Sequence, residues 1–363
     1  MKTILFPYHL ENNVYCDLIV RALEKEGIEV KKLSYALKNP NYFFSTEVIN
    51  LSFFENIPNN ISKTQAYTVY LAKRVFLFCC KLFKIKIIYT MHNKKQHDGK
   101  YNDLNRKIMT MLINKSDAIV SLCSEGKEIL LKQYGKDINN KIYIIPHPNY
   151  CAIINIISDA EMERIRKKVR AEGKMLCTFL GAISPYKNVE LIVQAANELK
   201  NQNIQFLIAG NSKDIKYIEH LKNMCSADNV IWDVRFVPEE VADAYIQSSD
   251  LILLPYNKSS SLNSGSVFLT MSLGKTCVIP DIGSIKDLNN REDVYIYDYN
   301  SDTEMAHYNA FIEAMKRAII DYNADKDAFQ SKGKRLYQEM LELHSLDFIG
   351  KRYSDIYQEL QRK

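Results

Sequence analysis

LILLPYNKSSSLNSGSVFLTMSLGKTCVIPDIG, residues 251–283, decides how this chain folds. Its opening Leu251-Ile252-Leu253-Leu254 fits a buried strand. Pro255 and a loop rich in Ser and Asn stop that strand. Ser264-Gly265-Ser266 starts a helix predicted over 267–273, Gly274 closes it, and 276–279 form the next strand. Such a unit puts small side chains and free backbone amides at a helix N-terminus, where an anion is favoured. The Ser-Gly-Ser turn has little bulk, so a phosphate can approach the backbone. A well-capped helix with nothing bound has the same signature, since N-caps favour Ser in general.

The same alternation runs outward in both directions. After 251–283 come a strand at 294–297 and helices at 306–321, 326–342 and 346–362. Before it, strands are predicted at 175–180, 205–209 and 230–232, with helices at 189–200, 215–227 and 239–247. The first half reads likewise. It has strands at 2–6, 28–33, 48–51, 85–90, 118–122 and 142–145, and helices at 16–26, 64–84, 101–114 and 125–134. Ser124 is the expected cap of the last of these. Residues 40–60, aromatic and rich in Asn, give no clear pattern beyond the strand at 48–51. Alternating strands and helices mean α/β, doubly wound sheets. Pro146-His147-Pro148-Asn149-Tyr150 breaks the pattern and marks the domain join. The expectation is a first domain over 1–150, a second over 174–342, and a last helix, 346–363, packing back on the first. Two such domains would face a central cleft lined by loops at the carboxyl ends of their strands.

Composition narrows the class. The 363 residues exceed one usual domain, and 47% are apolar, enough for two cores. Eight cysteines are scattered with no CxxC pair, which suits reduced thiols better than disulfides or zinc. No metal-spaced cluster appears, so no metal is expected. No GxGxxG occurs, so a dinucleotide fingerprint is absent. No signal-peptide layout precedes KTILF, and no apolar run is long enough for a bilayer. A cytoplasmic protein is expected. Charge is unevenly shared: residues 1–150 hold 22 Lys/Arg against 13 Asp/Glu. Lys63 to Lys107 holds eleven basic and two acidic residues. Helix 64–84 carries Val69, Ala72, Phe76, Cys79 and Phe83 at helical spacing, with Lys73, Arg74, Lys81 and Lys84 between them. A basic amphipathic helix suits an anionic membrane surface, peripheral on the inner face. A core-facing helix with a solvated basic edge is the plainer alternative. No nucleic-acid motif accompanies the charge, so nucleic acid is not an expected partner.

Four second-half loops offer ligand contacts: 181–188, 210–213, 235–238 and 256–266. They supply Lys187 near a Gly turn, the Ser-Gly-Ser helix start, and exposed backbone at Phe236-Val237. That set suits a nucleoside diphosphate. In the first half, Tyr8, His9, Glu11, Asn12 and Asn13 follow the first strand, and His92, Asn93, His97 and Asp98 follow the fourth.

FLGAISPYKNVELIVQAANEL, FLIAG, VRFVPEEVADAYIQSSDLILLPY and LNSGSVFLTMSLGKTCVIPDIG, in this order, resemble the donor-binding domain of GT-B glycosyltransferases. The resemblance covers about half the chain and is to the bacterial polysaccharide type. IYIIPHPNY is similar to the segment ending the first domain, and YTMHN to a strand-end histidine loop. The resemblance implies two Rossmann-like domains and sugar transfer from a UDP- or GDP-linked donor. The acceptor would be a polysaccharide or lipid-linked glycan, with no bound metal and no further cofactor. Lys187 would contact the diphosphate and stabilise the leaving group. Ser264, Gly265 and Ser266 would hold it from the helix start, and Phe236, Val237 and Pro238 would flank the base. Asn13, Gly181, Tyr256 and Asn263 complete the expected donor contacts.

Two departures stand out. The family pairs the lysine with an Arg five residues earlier, where this chain has Ala182. Many retaining members carry two glutamates eight apart, at positions held here by Ser261 and Leu269. An inverting enzyme needs a base on the acceptor side, and Glu11, Asp17, His92 and Asp98 are candidates, with His92 preferred. A structural or donor-contacting role for His92 stays open. The departures also leave open an epimerase or hydrolase of the same fold, or a catalytically silent partner subunit.

Overall fold

The computed structural model describes residues 2–6, 14–94, 100–300 and 303–362. They form two compact units, one of residues 1–148 and 343–363, the other of 149–342.

The first unit runs β1 (Lys2–Phe6), α1 (Tyr15–Lys25), β2 (Glu29–Lys32), α2 (Leu33–Lys38), α3 (Pro40–Phe44), β3 (Val48–Ser52), α4 (Lys63–Leu82), β4 (Lys86–Met91), α5 (Asn102–Lys115), β5 (Ala118–Ser121), α6 (Ser124–Tyr134) and β6 (Ile142–Ile144). Its strands form one sheet in the order β2-β1-β3-β4-β5-β6, every pair parallel. β3 and β5 are buried along their whole length. A sheet covered on both faces buries its central strands in this way, polar Asn50 and Ser52 of β3 included.

The second unit runs α7 (Asp159–Lys168), β7 (Met175–Leu180), α8 (Val189–Glu198), β8 (Ile204–Ala209), α9 (Ile215–Met224), β9 (Val230–Asp233), α10 (Glu239–Ser248), β10 (Leu251–Leu253), α11 (Gly265–Ser272), β11 (Thr276–Pro280), α12 (Gly283–Lys286), β12 (Tyr295–Tyr297), α13 (Glu304–Ala324) and α14 (Lys326–Leu343), the last residue of which falls in the first unit. Its sheet is also parallel, in the order β12-β11-β10-β7-β8-β9. α15 (Leu346–Arg362) returns to the first unit and packs on α1. Gly350 makes that possible, since a Cβ there would sit 2.4 Å from the Ala22 carbonyl oxygen.

Several elements differ from the sequence reading. Residues 151–173, expected in neither domain, belong to the second unit. Arg166 is the reason: its guanidinium donates to Asp250 at 3.0 Å and to the carbonyls of Ser248 and Lys174 at 2.8 and 2.5 Å. α11 starts at Gly265, not Val267, so Ser-Gly-Ser is the cap and first turn itself. Cys123, not Ser124, caps α6. The unread aromatic stretch folds as the short α3, with Pro40 at its first turn.

α4 is turned differently from its expected register. Ala66, Leu77 and Cys80 face inward, while Ala72 and Phe83 are exposed. Two cations account for the rotation. The Lys73 ammonium points in and donates to the carbonyls of Phe54 and Asn56 at 2.6 and 2.7 Å. Lys81 pairs with Asp117 at 2.7 Å. Among the described residues no helix is long and apolar enough to cross a membrane.

The carboxyl ends of β7, β8 and β9 are tied together by backbone. Gly181 N–H donates to the Ala209 carbonyl at 3.1 Å, and Gly210 N–H to the Asp233 carbonyl at 3.0 Å. Gly210 has φ +146°, and a Cβ there would lie 1.7 Å from the Gly181 carbonyl oxygen. Neither the conformation nor the space admits a side chain. Gly210→Ala should cost about 3 kcal/mol or more. Urea unfolding of the second unit measures this, and an unchanged midpoint would contradict the packing described.

Candidate active site

In an open parallel sheet, ligands bind outside the carboxyl ends of the strands where the order reverses. In the second unit that reversal falls between β7 and β10. Two loops leave the sheet there: 181–188 from β7 and 254–264 from β10.

The β7 loop ends in a short 3-10 turn, Pro185–Lys187. Asn188 follows in the left-handed conformation, φ +51°. Asn tolerates that conformation better than most residues. Its side-chain amide donates to the Pro255 carbonyl at 2.7 Å, which joins the two loops. The turn places the Lys187 ammonium over the Tyr256 ring, 4.0 Å from its centroid, and 5.3 Å from that of Tyr186. Tyr256 is buried. Its hydroxyl accepts from Ser264 Oγ at 3.0 Å. Ser264 is the N-cap of α11, yet its side chain makes no capping bond to the helix. The Tyr256 ring therefore joins Lys187 to the start of α11. The first amides of α11, from Gly265 and Ser266, are ones that a helix leaves without an internal acceptor.

The rest of the β10 loop is fixed by its neighbours. Asn257 Oδ1 accepts from the Ser259 amide at 2.8 Å, and Lys258 N–H donates to Tyr299 Oη at 2.9 Å. Lys258 also pairs with Asp298. Tyr150 N–H donates to Ser272 Oγ at 2.9 Å, holding the entry to this unit against α11. Such ties fix the geometry before any ligand arrives, which is what electrostatic preorganisation requires.

Of the sequence-predicted residues, Lys187, Tyr256 and Ser264 come together, with Gly265 and Ser266 next in line. Asn263 is half-buried just before the cap. Gly181 is a backbone crossing point rather than an open edge. Phe236, Val237 and Pro238 follow β9, two strands from β7 and hence about 10 Å across the sheet. Phe236 is exposed, Val237 packs on the cluster around Ile165 and Tyr245, and Pro238 caps α10. Arg235 pairs with Asp233 at 2.7 Å, which sets the loop's turn. Asn188 and Tyr186 were not singled out by sequence. The Pro-Tyr-Lys-Asn run carries the signal, because Asn after a Pro-initiated turn suits a left-handed residue.

In the first unit, Asn13, Glu11, His97 and Asp98 lie outside the described residues. Asp17 sits in the first turn of α1. His92 follows β4 and is buried. It stacks on Phe53 at 3.8 Å between centroids and meets the Tyr15 ring edge-on at 4.7 Å. Burial, then the nearby His147, pushes its pKa down to about 3. A general base at neutral pH works best with a pKa near 7, so these surroundings favour a neutral contact over a titrating base. His147, whose ring N–H donates to the Pro148 carbonyl at 2.7 Å, is held down to about 4, chiefly by burial. Among the described residues no group of three or more His, Cys, Asp or Glu gathers as a metal site. All eight cysteines are free.

Residues 161–327 match the model of the family described as glycosyl transferases group 1. The whole chain is similar in structure to solved proteins. One is Anabaena HepE in complex with UDP and glucose, with TM-score 0.68 and 11% identity, covering 99% of this chain and 100% of that one. Another is a glycosyltransferase from Rickettsia africae, with TM-score 0.69 and 13% identity, covering 100% and 98%. The chain has the GT-B fold, and the stretch that matches the group 1 model lies within its second unit. In sequence, this GT-B chain is 27% identical over 109 residues to a GDP-mannose:glycolipid 4-beta-D-mannosyltransferase of Xanthomonas campestris. It spans 30% of the length of the curated relatives it matches.

The buried histidines make the first GT-B unit sensitive to acid. A histidine held at about 3, against about 6.5 when unfolded, contributes stability that is complete above pH 6.5. That contribution is lost as pH falls toward 3, at about 1.4 kcal/mol per unit of depression. Glu55 opposes it: burial raises its pKa to about 7, so its contribution is complete below about 4.5 and lost as pH rises through 7. His92→Asn should therefore flatten the fall in unfolding free energy between pH 6.5 and 4, measured by urea titration at several pH values. An unchanged slope would show that His92 is not buried and neutral.

Proposed function

We propose that the chain transfers a sugar from a UDP- or GDP-linked donor to a polysaccharide or lipid-linked glycan acceptor, without a bound metal. The observation that carries this reading is the Lys187–Tyr256–Ser264 arrangement at the start of α11. Breaking the bond between sugar and nucleotide leaves negative charge on the diphosphate. An ammonium and two helix-start amides, already fixed in place, neutralise that charge as it develops. In this reading Phe236 and Val237, at the end of β9 two strands away, flank the base. HepE was solved with UDP and glucose, and the Xanthomonas relative is named for GDP-mannose and a glycolipid, which supports both donor and acceptor classes. In the first unit His92 acts as a neutral contact. The protein works in the cytoplasm, at the inner face of the membrane.

The absence of the family's arginine at Ala182 and of its glutamates at Ser261 and Leu269 favours one second reading, a silent partner subunit that binds nucleotide sugar without transferring it. Lys187→Ala separates the two. An enzyme should lose on the order of 10²–10³ in kcat, with little change in thermal stability. Wild type should be stabilised by a GDP- or UDP-sugar, by about 2.7 kcal/mol at a hundredfold excess over Kd. Donor binding by wild type with no turnover on any glycan acceptor would support the silent reading instead. An isomeric nucleotide sugar formed without acceptor would point to an epimerase.

A further inference from the structure

α4 has two apolar faces. One packs on the sheet, through Ala66, Leu77 and Cys80. The other points away from it: Tyr67, Leu71, Val75, Phe78 and Leu82 are each about half exposed or more. Their spacing of four, four, three and four residues makes a single stripe down the helix, about 22 Å long. It continues onto Phe83 and Phe44, whose rings meet edge-on at 4.9 Å while both remain exposed. Soluble proteins rarely show so long an unbroken apolar surface without a partner.

The charge around the stripe says what that partner is. No Asp or Glu occurs between Glu55 and Asp98, so α4 and the segments flanking it carry only positive charge. With Lys73 and Lys81 turned inward, the exposed cations among the described residues of α4 and its ends are Lys63, Arg74 and Lys84. At the Leu82 end, an open cavity of about 620 Å³ is lined by Lys81, Lys84 and Lys86 against Glu47 and Asp117. Apolar side chains in one line, with cations along the edges and a lysine-lined hollow at one end, match the layers of an anionic bilayer: acyl chains beneath, phosphates above.

We infer that the outer face of α4, with Phe44 and Phe83, docks the first unit on an anionic membrane, with headgroup phosphates received at Lys84 and Lys86. A second copy of the chain would cover the apolar stripe but would bring like charges together along its edges, which favours the membrane. The inference names the surface for the membrane setting proposed above and rests on that reading for its purpose. Its test uses neither donor nor acceptor, so failure of docking and failure of sugar transfer are separate results.

The full chain is floated with vesicles of phosphatidylcholine alone, or with one-third phosphatidylglycerol. The expected result is on the order of tenfold more protein bound to the anionic vesicles, weakened by salt. Leu71→Ser with Phe78→Ser should reduce binding by a similar factor, with the circular dichroism melt unchanged because both side chains are exposed. Arg74→Gln with Lys84→Asn should remove the anionic preference while leaving the apolar stripe intact; Asn keeps the left-handed backbone at Lys84, φ +57°. Equal binding to both vesicles, or unaltered binding by both double variants, would overturn the inference. So would absent vesicle binding with a concentration-dependent dimer that Leu71→Ser/Phe78→Ser dissolves, since a second copy would then be the occupant.

Discussion

The second unit's site depends on an ammonium resting on an aromatic ring. Lys187 lies over Tyr256, and Tyr256 accepts a hydrogen bond from the residue that caps α11. A cation over a ring is stabilised by about 0.5–2 kcal/mol, depending on how much water it has lost. That is enough to hold a flexible lysine in one place, and little enough to release it to a stronger anion. Ser264 spends its hydroxyl on Tyr256 rather than on its own helix, which leaves the first amides of α11 without a side-chain cap. One aromatic residue therefore positions the cation and clears the amides.

The sheet makes this meeting possible. β7 and β10 are neighbours only because the strand order reverses between them. Their loops leave side by side although some seventy residues separate Lys187 from Tyr256 in sequence. Asn188 ties one loop to the other through the Pro255 carbonyl, and the Gly181–Gly210 crossing holds the β7 loop against the β8 loop. The rigidity is local and does not need a ligand.

Much of this was legible in the sequence for a physical reason. A short apolar run stopped by a proline, such as Leu251–Leu254 before Pro255, suits a strand buried on both faces, and alternation with helices implies parallel pairing. The pattern reached as far as doubly wound α/β domains, and GT-B came only from the resemblance carried by the motif order around Lys187. What escaped was whatever depends on where a long side chain turns. Lys73 and Lys81 count as surface charge in a sequence, yet both fold inward onto carbonyls or a carboxylate, and this rotates α4 so that Ala72 and Phe83 are exposed. Arg166 likewise looks like part of a charged surface helix but anchors residues 151–173 to the second unit. His92 was visible as a strand-end residue, but its burial against Phe53 and Tyr15 was not, because Phe53 reaches it through a positive φ that sequence does not announce. Tyr256 was named as a donor contact from the resemblance alone. Its role as a link was not, because that link exists only in three dimensions.

The most direct measurement is a crystal structure of the chain with a nucleoside diphosphate bound. The account predicts that Lys187 Nζ leaves the Tyr256 ring face and lies within about 3.2 Å of a phosphate oxygen, with the Gly265 or Ser266 amide at similar distance from the same diphosphate. A diphosphate bound elsewhere in the second unit, with Lys187 still resting on Tyr256, would contradict it.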